Sequence, residues 1–189
     1  MDNSQQMHDR WMARYSRRSG VNYEEYNRII ASNNSLKERI NKGDAYVSKR
    51  LYDNAVKELS QGISIGEQLL SDDNLIDESD LAKAYMNRGV AYEYQRNQVL
   101  ALQDKTKSVE ILERLRSNNK LYDEYILALA YMNRGATNES MRDYTMAVAD
   151  AEKSIGILNQ LKLEGRNVSS DISMVLANIG IAKSKQRTS

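Results

Sequence analysis

Four asparagines recur at matching places along the chain, each two residues before a glycine: Asn41, Asn87, Asn133 and Asn178. A side-chain carboxamide both donates and accepts hydrogen bonds. A row of carboxamides along a groove can therefore hold an extended peptide by its backbone. Asparagine is a mediocre helix former, so its recurrence needs a reason. The alternative is structural: these side chains bridge neighbouring helices of the same protein, or duplication copied them.

Few other residues offer catalytic or metal-binding chemistry. The chain has no cysteine and one histidine, His8, which argues against disulfides, thiolate nucleophiles, cysteine or histidine metal centres and a Ser-His-Asp triad. No glycine-rich phosphate loop follows a predicted strand, and no two acidic residues are spaced as a general acid and base. We therefore expect no catalytic residues, no metal and no cofactor, and a protein that is not an enzyme.

The overall charge gives no preference for a charged partner. The 189 residues include 27 basic and 26 acidic side chains, for a formal net charge of +1. Neither a membrane-spanning apolar run nor a signal-peptide core is visible. We expect a cytoplasmic protein with no membrane and no nucleic-acid partner. Residues 8–18 interleave basic and aromatic side chains, which indicates either a partner-docking or nucleic-acid arm or a disordered or end-capping segment.

The chain repeats itself with a period of 46 residues. The string AYMNRG occurs at Ala84–Gly89 and again at Ala130–Gly135. Gly43 keeps the same register, and Gly180 lies one residue short of it. Small residues also recur at two later positions of each unit; they are Ala55, Ala101 and Ala147, and then Gly62, Ser108 and Ser154. Small and branched apolar residues at fixed places predict helices that pack closely.

Each unit is predicted to form a helical hairpin, because apolar residues recur at helical spacing on both sides of a short polar break. Polar connectors rich in Asp, Asn and Ser separate the units. The predicted fold class is all-α, an α-solenoid of about three hairpins plus a C-terminal capping helix. The repeats cover about 35–74, 75–120 and 121–166, the capping helix covers 168–186, and the solenoid as a whole covers 35–189. Residues 1–34 form an N-terminal arm that is partly disordered or a short helix.

At these residues the unit resembles the tetratricopeptide repeat (TPR). That pattern has an aromatic early in the first helix, a small residue near its middle, and an alanine and a further small residue in the second helix. Tyr85, Gly89, Ala101 and Ser108 fit it, whereas the first unit has Arg39 in place of the aromatic. Near the place of the usual closing proline stand Glu67, Glu113 and Asn159. The missing proline and the period of 46 rather than 34 residues indicate a long-helix subclass.

The resemblance implies a concave groove lined by the first helices of successive units. In some family members asparagines at this place contact the backbone of a bound peptide. The same face is expected to carry Lys37, Asp44, Lys83, Met86, Val90, Tyr94, Met132 and Glu139. Members that clamp a carboxylate place lysines where this chain has Ile40, Met86 and Met132, so the clamp is mostly missing. The methionines indicate either an adaptable apolar binding surface or ordinary packing between helices.

The resemblance favours a protein–protein interaction module, an adaptor or scaffold that holds a peptide or helix of a partner. The alternative is a peptide-sensing regulatory receptor that changes shape on binding. Arg88 and Arg134, which precede repeat glycines, either form salt bridges within the array or attract an acidic ligand. Formation of a homo-oligomer through the solenoid ends is a further alternative that the sequence leaves open.

Overall fold

A computed structural model describes residues 9, 11–13, 15 and 23–188. Residues 23–188 form seven helices joined by short turns, and the described part of the chain contains no strand. The helices are α1 (Tyr23–Ser48), α2 (Tyr52–Ser71), α3 (Glu78–Tyr94), α4 (Gln98–Ser117), α5 (Glu124–Ser140), α6 (Tyr144–Leu163) and α7 (Ser169–Thr188). None of them is both long enough and apolar enough to cross a membrane.

The helices pack as hairpins in chain order. α1 packs on α2, α3 on α4 and α5 on α6, and the second helix of each hairpin also contacts the first helix that follows. One hydrophobic core runs through the stack from Leu36 in α1 to Val175 in α7. This solenoid of three hairpins and a final helix confirms the predicted all-α fold class.

The backbone repeats with the same period as the sequence. One residue with positive φ lies in the turn of each hairpin; these residues are Arg50, Arg96 and Arg142. A second set lies after each hairpin and consists of Asp73, Asn119 and Gly165. Left-handed residues just past a helix let its last carbonyls accept hydrogen bonds. The N–H of Arg96 accordingly donates to the carbonyl of Glu93 at 2.9 Å, which offsets the cost of this conformation for a residue other than glycine.

Small residues let the two helices of a hairpin approach closely. A β-carbon at Gly89 would lie 2.8 Å from Cγ of Lys105 and 3.0 Å from the carbonyl oxygen of Ala101. At Gly135 it would lie 3.3 Å from the carbonyl oxygen of Ala147. At each of these glycines a side chain would therefore obstruct the second helix of the hairpin.

A tyrosine–glutamate hydrogen bond joins each later hairpin to the one before it. Tyr85 of α3 donates to Glu67 of α2, and Tyr131 of α5 donates to Glu113 of α4. Burial and the neighbouring carboxylate raise the pKa of both tyrosine hydroxyls, so they stay protonated as donors. The equivalent position in α7, four residues before Gly180, is Leu176, and this bond is therefore not repeated at the last junction.

The arginines that precede the repeat glycines form ion pairs inside their own hairpins. Arg88 binds the carboxylate of Asp104 with two hydrogen bonds of 2.7 and 2.8 Å. Arg134 binds Asp150 in the same way, at 2.9 and 2.6 Å. Both aspartates are buried. These contacts favour salt bridges within the array over attraction of an acidic ligand.

Part of the N-terminal arm packs against the start of the solenoid. The buried ring of Trp11 lies 4.8 Å from that of Tyr15 and 6.0 Å from that of Tyr26 in α1. Ile76, in the turn before α3, packs against the same cluster. Helix α1 begins at Tyr23, earlier than the expected start of the first repeat near residue 35, so residues 23–34 of the predicted arm belong to the first helix of the first hairpin. Residues 1–8, 10, 14 and 16–22 of the arm lie outside the described residues.

The substitution Gly89→Ala tests the close approach within a hairpin. The added methyl group would overlap the stem of Lys105, so we expect the free energy of unfolding to fall by about 1–3 kcal/mol. Urea denaturation followed by circular dichroism measures this change. The matched control is Gly156→Ala in α6, where a β-carbon would meet nothing within 4 Å. There alanine should stabilise the helix by up to about 1 kcal/mol, and equal stabilisation of both variants would contradict the packing argument.

Candidate partner-binding cleft

The first helices of the hairpins form one face of the solenoid. α1 contacts α3, α3 contacts α5, and α5 contacts α7, whereas α2, α4 and α6 do not contact one another. The first helices therefore lie closer together than the second helices, and the solenoid curves with them on its inner side. Each of these four inner helices carries one of the predicted asparagines.

A cleft of about 470 Å³ lies between α1, α3 and the start of α5. Its volume is in the range of small-ligand sites. Of the residues predicted on this face, the cleft brings together Lys37, Asn41, Asp44, Lys83 and Asn87. The rest of its lining consists of Ile40, Asp77, Ser79, Asp80, Lys120, Tyr122, Asp123 and Ile126. This lining is mostly polar, with two isoleucines as its aliphatic members.

The two asparagines in the cleft are engaged differently. Asn87 donates its amide N–H to Asp44 across the gap between α3 and α1, and its carbonyl oxygen remains able to accept. Asn41 is exposed and makes no side-chain hydrogen bond to the described residues. The cleft therefore offers one whole carboxamide and one amide carbonyl, which match the N–H and C=O groups of an extended peptide backbone.

Asp44 faces the cleft without a salt-bridge partner among the described residues. Its carboxylate accepts the hydrogen bond from Asn87, and burial raises its pKa above the ordinary value. A nearby positive charge would favour the ionised form of a carboxyl group in such a place. A cationic ligand group is therefore the partner that Asp44 fits best.

Asp80, by contrast, is shared by two lysines toward the other end of the cleft. Its carboxylate lies 3.1 Å from Nζ of Lys83 and 3.8 Å from Nζ of Lys37. Burial is the main cause that raises the pKa of Asp80; nearby Asp77 adds to the increase, and the two lysines oppose it. The two ammonium groups have more N–H donors than Asp80 accepts from, which leaves donors for a ligand.

Residues of the turns between hairpins line the same end of the cleft as Asp80. Asp77 caps α3 by accepting from the N–H of Ser79 at 2.9 Å, and Asp123 caps α5 by accepting from the N–H of Tyr125 at 3.1 Å. Lys120, which is exposed, lines the same end. From the sequence alone these connectors are predicted only as turns and caps. The sequence feature that could have placed them in the cleft is that each connector leads directly into an inner helix.

The predicted methionines lie away from this cleft. Met86 is 9% exposed and packs in the hydrophobic core rather than on the groove surface. Met132 is half-buried against the same core. Met132 and Asn178 together line a small gap between α5, α6 and α7. The packing of both methionines agrees with the structural alternative given for them above.

Three further predicted residues also lie outside the cleft. Asn133 donates to the carbonyl of Leu129 in its own helix at 2.9 Å. Val90 is half-buried in α3. Tyr94, at the end of α3, is 60% exposed and stacks on Tyr52 with ring centres 4.8 Å apart. The four asparagines thus share the inner helices, but only two of them share a cleft.

The side chains of this cleft can bind a ligand through charges and hydrogen bonds. Over residues 9, 11–13, 15 and 23–188, no three His, Cys, Asp or Glu side chains are grouped as they would be to hold a metal ion. Three of the four cleft aspartates cap helices or pair with lysines, and the fourth, Asp44, accepts from an amide. The arrangement suits recognition of a polar chain.

The substitution Asp44→Asn tests the uncompensated charge. Because the folded-state pKa of Asp44 is raised, its contribution to stability is present below the unfolded-state pKa of about 3.9 and is lost as the pH rises through the folded-state pKa. Asparagine still accepts from Asn87 but carries no charge. We expect the variant to be more stable than the wild type at pH 7, by a few tenths of a kcal/mol at this solvent-accessible position. The difference should vanish near pH 3.

Urea denaturation at the two pH values measures this effect. The matched control is Asp53→Asn, in the first turn of α2, where a negative charge favours the helix N-terminus. This control should be neutral or less stable than the wild type at pH 7. Loss of stability in Asp44→Asn at pH 7 would contradict the charge argument.

Comparison with known proteins supports the fold. No protein-family model matches the chain, and no curated protein matches it. Among solved structures, the crystal structure of the apo form of RapI superimposes with a TM-score of 0.66 at 13% sequence identity. The match covers 99% of this chain and 65% of the RapI chain, so this chain spans about two thirds of RapI's length. At this identity the likeness shows a common fold, a solenoid of helical repeats.

Proposed function

We propose that the chain is a TPR-type interaction module of the long-helix subclass, an adaptor or scaffold that holds a short peptide segment of a partner protein. The observation that carries this proposal is the pairing of Asn41 and Asn87 in one polar cleft on the inner face. The 46-residue period, present in both sequence and backbone, supports the TPR assignment. The cleft volume suits a few residues of extended chain better than a whole helix.

The charges of the cleft favour a peptide with a defined direction. Asp44 and Lys37 are seven residues apart on α1, which corresponds to about 10 Å along the helix. An extended peptide covers that distance with about three residues. A basic side chain or an N-terminal ammonium group would then lie at Asp44. Carbonyl groups or an acidic side chain would face Lys37, Lys83 and Lys120.

Binding rather than catalysis is the activity we propose. Asp77 and Asp123 are committed to capping helices, and Asp80 to holding two lysines. A general acid or base needs a carboxyl group that exchanges protons with its substrate. The one aspartate without such a commitment, Asp44, already accepts from Asn87 and is placed to hold a charge.

A peptide-sensing receptor is the second candidate function. The cleft takes residues from three successive hairpins, so a ligand there would touch units whose relative orientation sets the curvature of the solenoid. The fold neighbour RapI was itself determined in an apo form. Small-angle scattering with and without a bound peptide separates the two functions. A changed radius of gyration would favour the receptor, and an unchanged one would favour the adaptor.

A pooled library of random hexapeptides with free termini tests peptide binding. The immobilised full chain should retain a subset enriched in basic residues, which mass spectrometry identifies. Because Asn41 supplies the free carboxamide, Asn41→Ala should weaken the binding of the retained peptides by about tenfold or more. Asp44→Asn should remove the enrichment in basic residues.

The matched control for the library experiment is Asn159→Ala. Asn159 is also an exposed helical asparagine, but it lies on the outer helix α6 and away from the cleft. This variant should retain the same peptides as the wild type. Either no enrichment by the wild type, or equal retention by Asn41→Ala, would overturn the proposed function.

A further inference from the structure

Helix α7 is covered on one side only. Val175 and Ala182 are buried, and the helix contacts α6 and α5. On its other side Met174, Leu176 and Ile181 are 49%, 53% and 46% exposed. Residues 172–182 include no charged side chain. A helix with one face in water ordinarily carries charged residues on that face, so α7 has the composition of a helix that is covered on both sides.

The exposed side of α7, with Met174, Leu176, Gly180 and Ile181, is its open face. The other units of the repeat show what kind of element packs at this place. In the second and third hairpins the repeat glycines Gly89 and Gly135 lie against the second helix of the hairpin. Gly180 is the fourth repeat glycine, and a β-carbon there would meet nothing within 4 Å. Within residues 23–188 no helix follows α7 to pack against it at Gly180 as α4 packs at Gly89 and α6 at Gly135. A helix that crosses near Gly180 would complete the packing seen in the other units.

We propose that α7 of a second copy of this chain covers this face, antiparallel to the first and related to it by a two-fold axis near Asn178. A two-fold interface uses the same patch on both copies. In this register Leu176 of one copy lies level with Gly180 of the other, and Met174 lies beside Ile181 of the second copy. Helical periodicity places each pair on a common side of the contact. Large side chains thus meet a glycine or another apolar side chain.

The charges of α7 argue for a second copy as the occupant. The single acidic residue, Asp171, lies in the first turn, and the basic residues Lys183, Lys185 and Arg187 lie toward the other end. An antiparallel pair therefore places opposite charges together, whereas a parallel pair would place like charges together. In the proposed register Asp171 is level with Lys185 of the second copy, as flanking residues are in antiparallel helix pairs.

Both flanking residues have contacts in their own chain and capacity for more. Asp171 accepts from the hydroxyl of Tyr125 at 3.2 Å, and Lys185 donates to Glu139 at 2.8 Å. Both partners lie on α5, so the two charges lie on the side of α7 that faces α5, beside the open face. A carboxylate accepts several hydrogen bonds and an ammonium group donates three, which leaves room for a bond across the interface.

Sedimentation velocity of the full chain at about 1–200 µM tests the dimer. We expect a species of twice 21.6 kDa at the upper concentrations. Gly180→Arg should raise the dissociation constant by about tenfold or more, with an unchanged circular dichroism spectrum because its side chain enters open space. The matched control, Gly156→Arg, is at another exposed helical glycine with an open β-carbon position, and it should dimerise as the wild type does. A monomer at every concentration, or a dimer that Gly180→Arg leaves intact, would overturn the proposal.

A charge exchange tests the register. Asp171→Lys alone and Lys185→Asp alone each place like charges at both flanking positions of a homodimer, so both variants should dimerise more weakly than the wild type. An equimolar mixture of the two restores both opposite-charge pairs and should form a heterodimer at wild-type strength. A wild-type dimer without this recovery on mixing would refute the antiparallel register. Peptide binding in the cleft enters none of these measurements, so their failure leaves the proposed function untouched.

Discussion

The close approach of the two helices at the repeat glycines of the three hairpins is the constraint on which this solenoid depends. At Gly89 the absent side chain leaves room for the stem of Lys105, which crosses beneath α3. The ammonium group of Lys105 then reaches Glu93 at 2.5 Å and Thr137 at 2.7 Å. Burial lowers the pKa of this lysine, and Glu93 opposes that effect. One glycine thereby allows a single side chain to connect α4, α3 and α5.

Polar contacts set the geometry that the apolar core leaves undetermined. Leucine, isoleucine and alanine pack at many helix crossings, whereas a bidentate pair such as Arg134–Asp150 has a narrow range of distances and angles. Buried ion pairs add little net stability relative to apolar packing, so their main effect here is to fix how each hairpin closes. The hydrogen bond from Tyr131 to Glu113 does the same between hairpins. Leu176 takes the place of this tyrosine in α7, which is held instead by apolar packing and surface ion pairs.

The sequence predicted the features of the fold that are local or periodic. The 46-residue repeat was sufficient for the hairpins, the final helix and the placement of the four asparagines on inner helices. It was not sufficient for the direction of individual side chains. Met86 and Asn87 are adjacent in sequence, yet Met86 turns into the core while Asn87 lines the cleft, and a shift of one residue rotates a helical position by about 100°.

Other features depend on contacts that periodicity does not encode. A charged residue is expected at the surface, so the fully buried side chain of Lys105 could not be anticipated without knowing that Glu93 and Thr137 meet there. The cleft likewise requires Lys120 and Asp123, which follow the second hairpin, to fold back beside α1. That proximity results from the rise and curvature of the whole stack. A polar connector in sequence therefore becomes the wall of a binding site only in three dimensions.

The cleft has a charge without a partner, whereas the open face of α7 has apolar side chains without cover. The two sites therefore favour different kinds of ligand. In the cleft Asp44 is charged and uncompensated, so it favours a polar ligand and disfavours apolar cover. On α7 the exposed Met174 and Ile181 have no charged neighbours between residues 172 and 182, so cover by another apolar surface stabilises them. The two sites also use different helices of the inner face, except that α5 contacts both α3 and α7. Any effect of a bound peptide on assembly must therefore pass through α5, whose start lines the cleft at Ile126 and whose far end pairs Glu139 with Lys185.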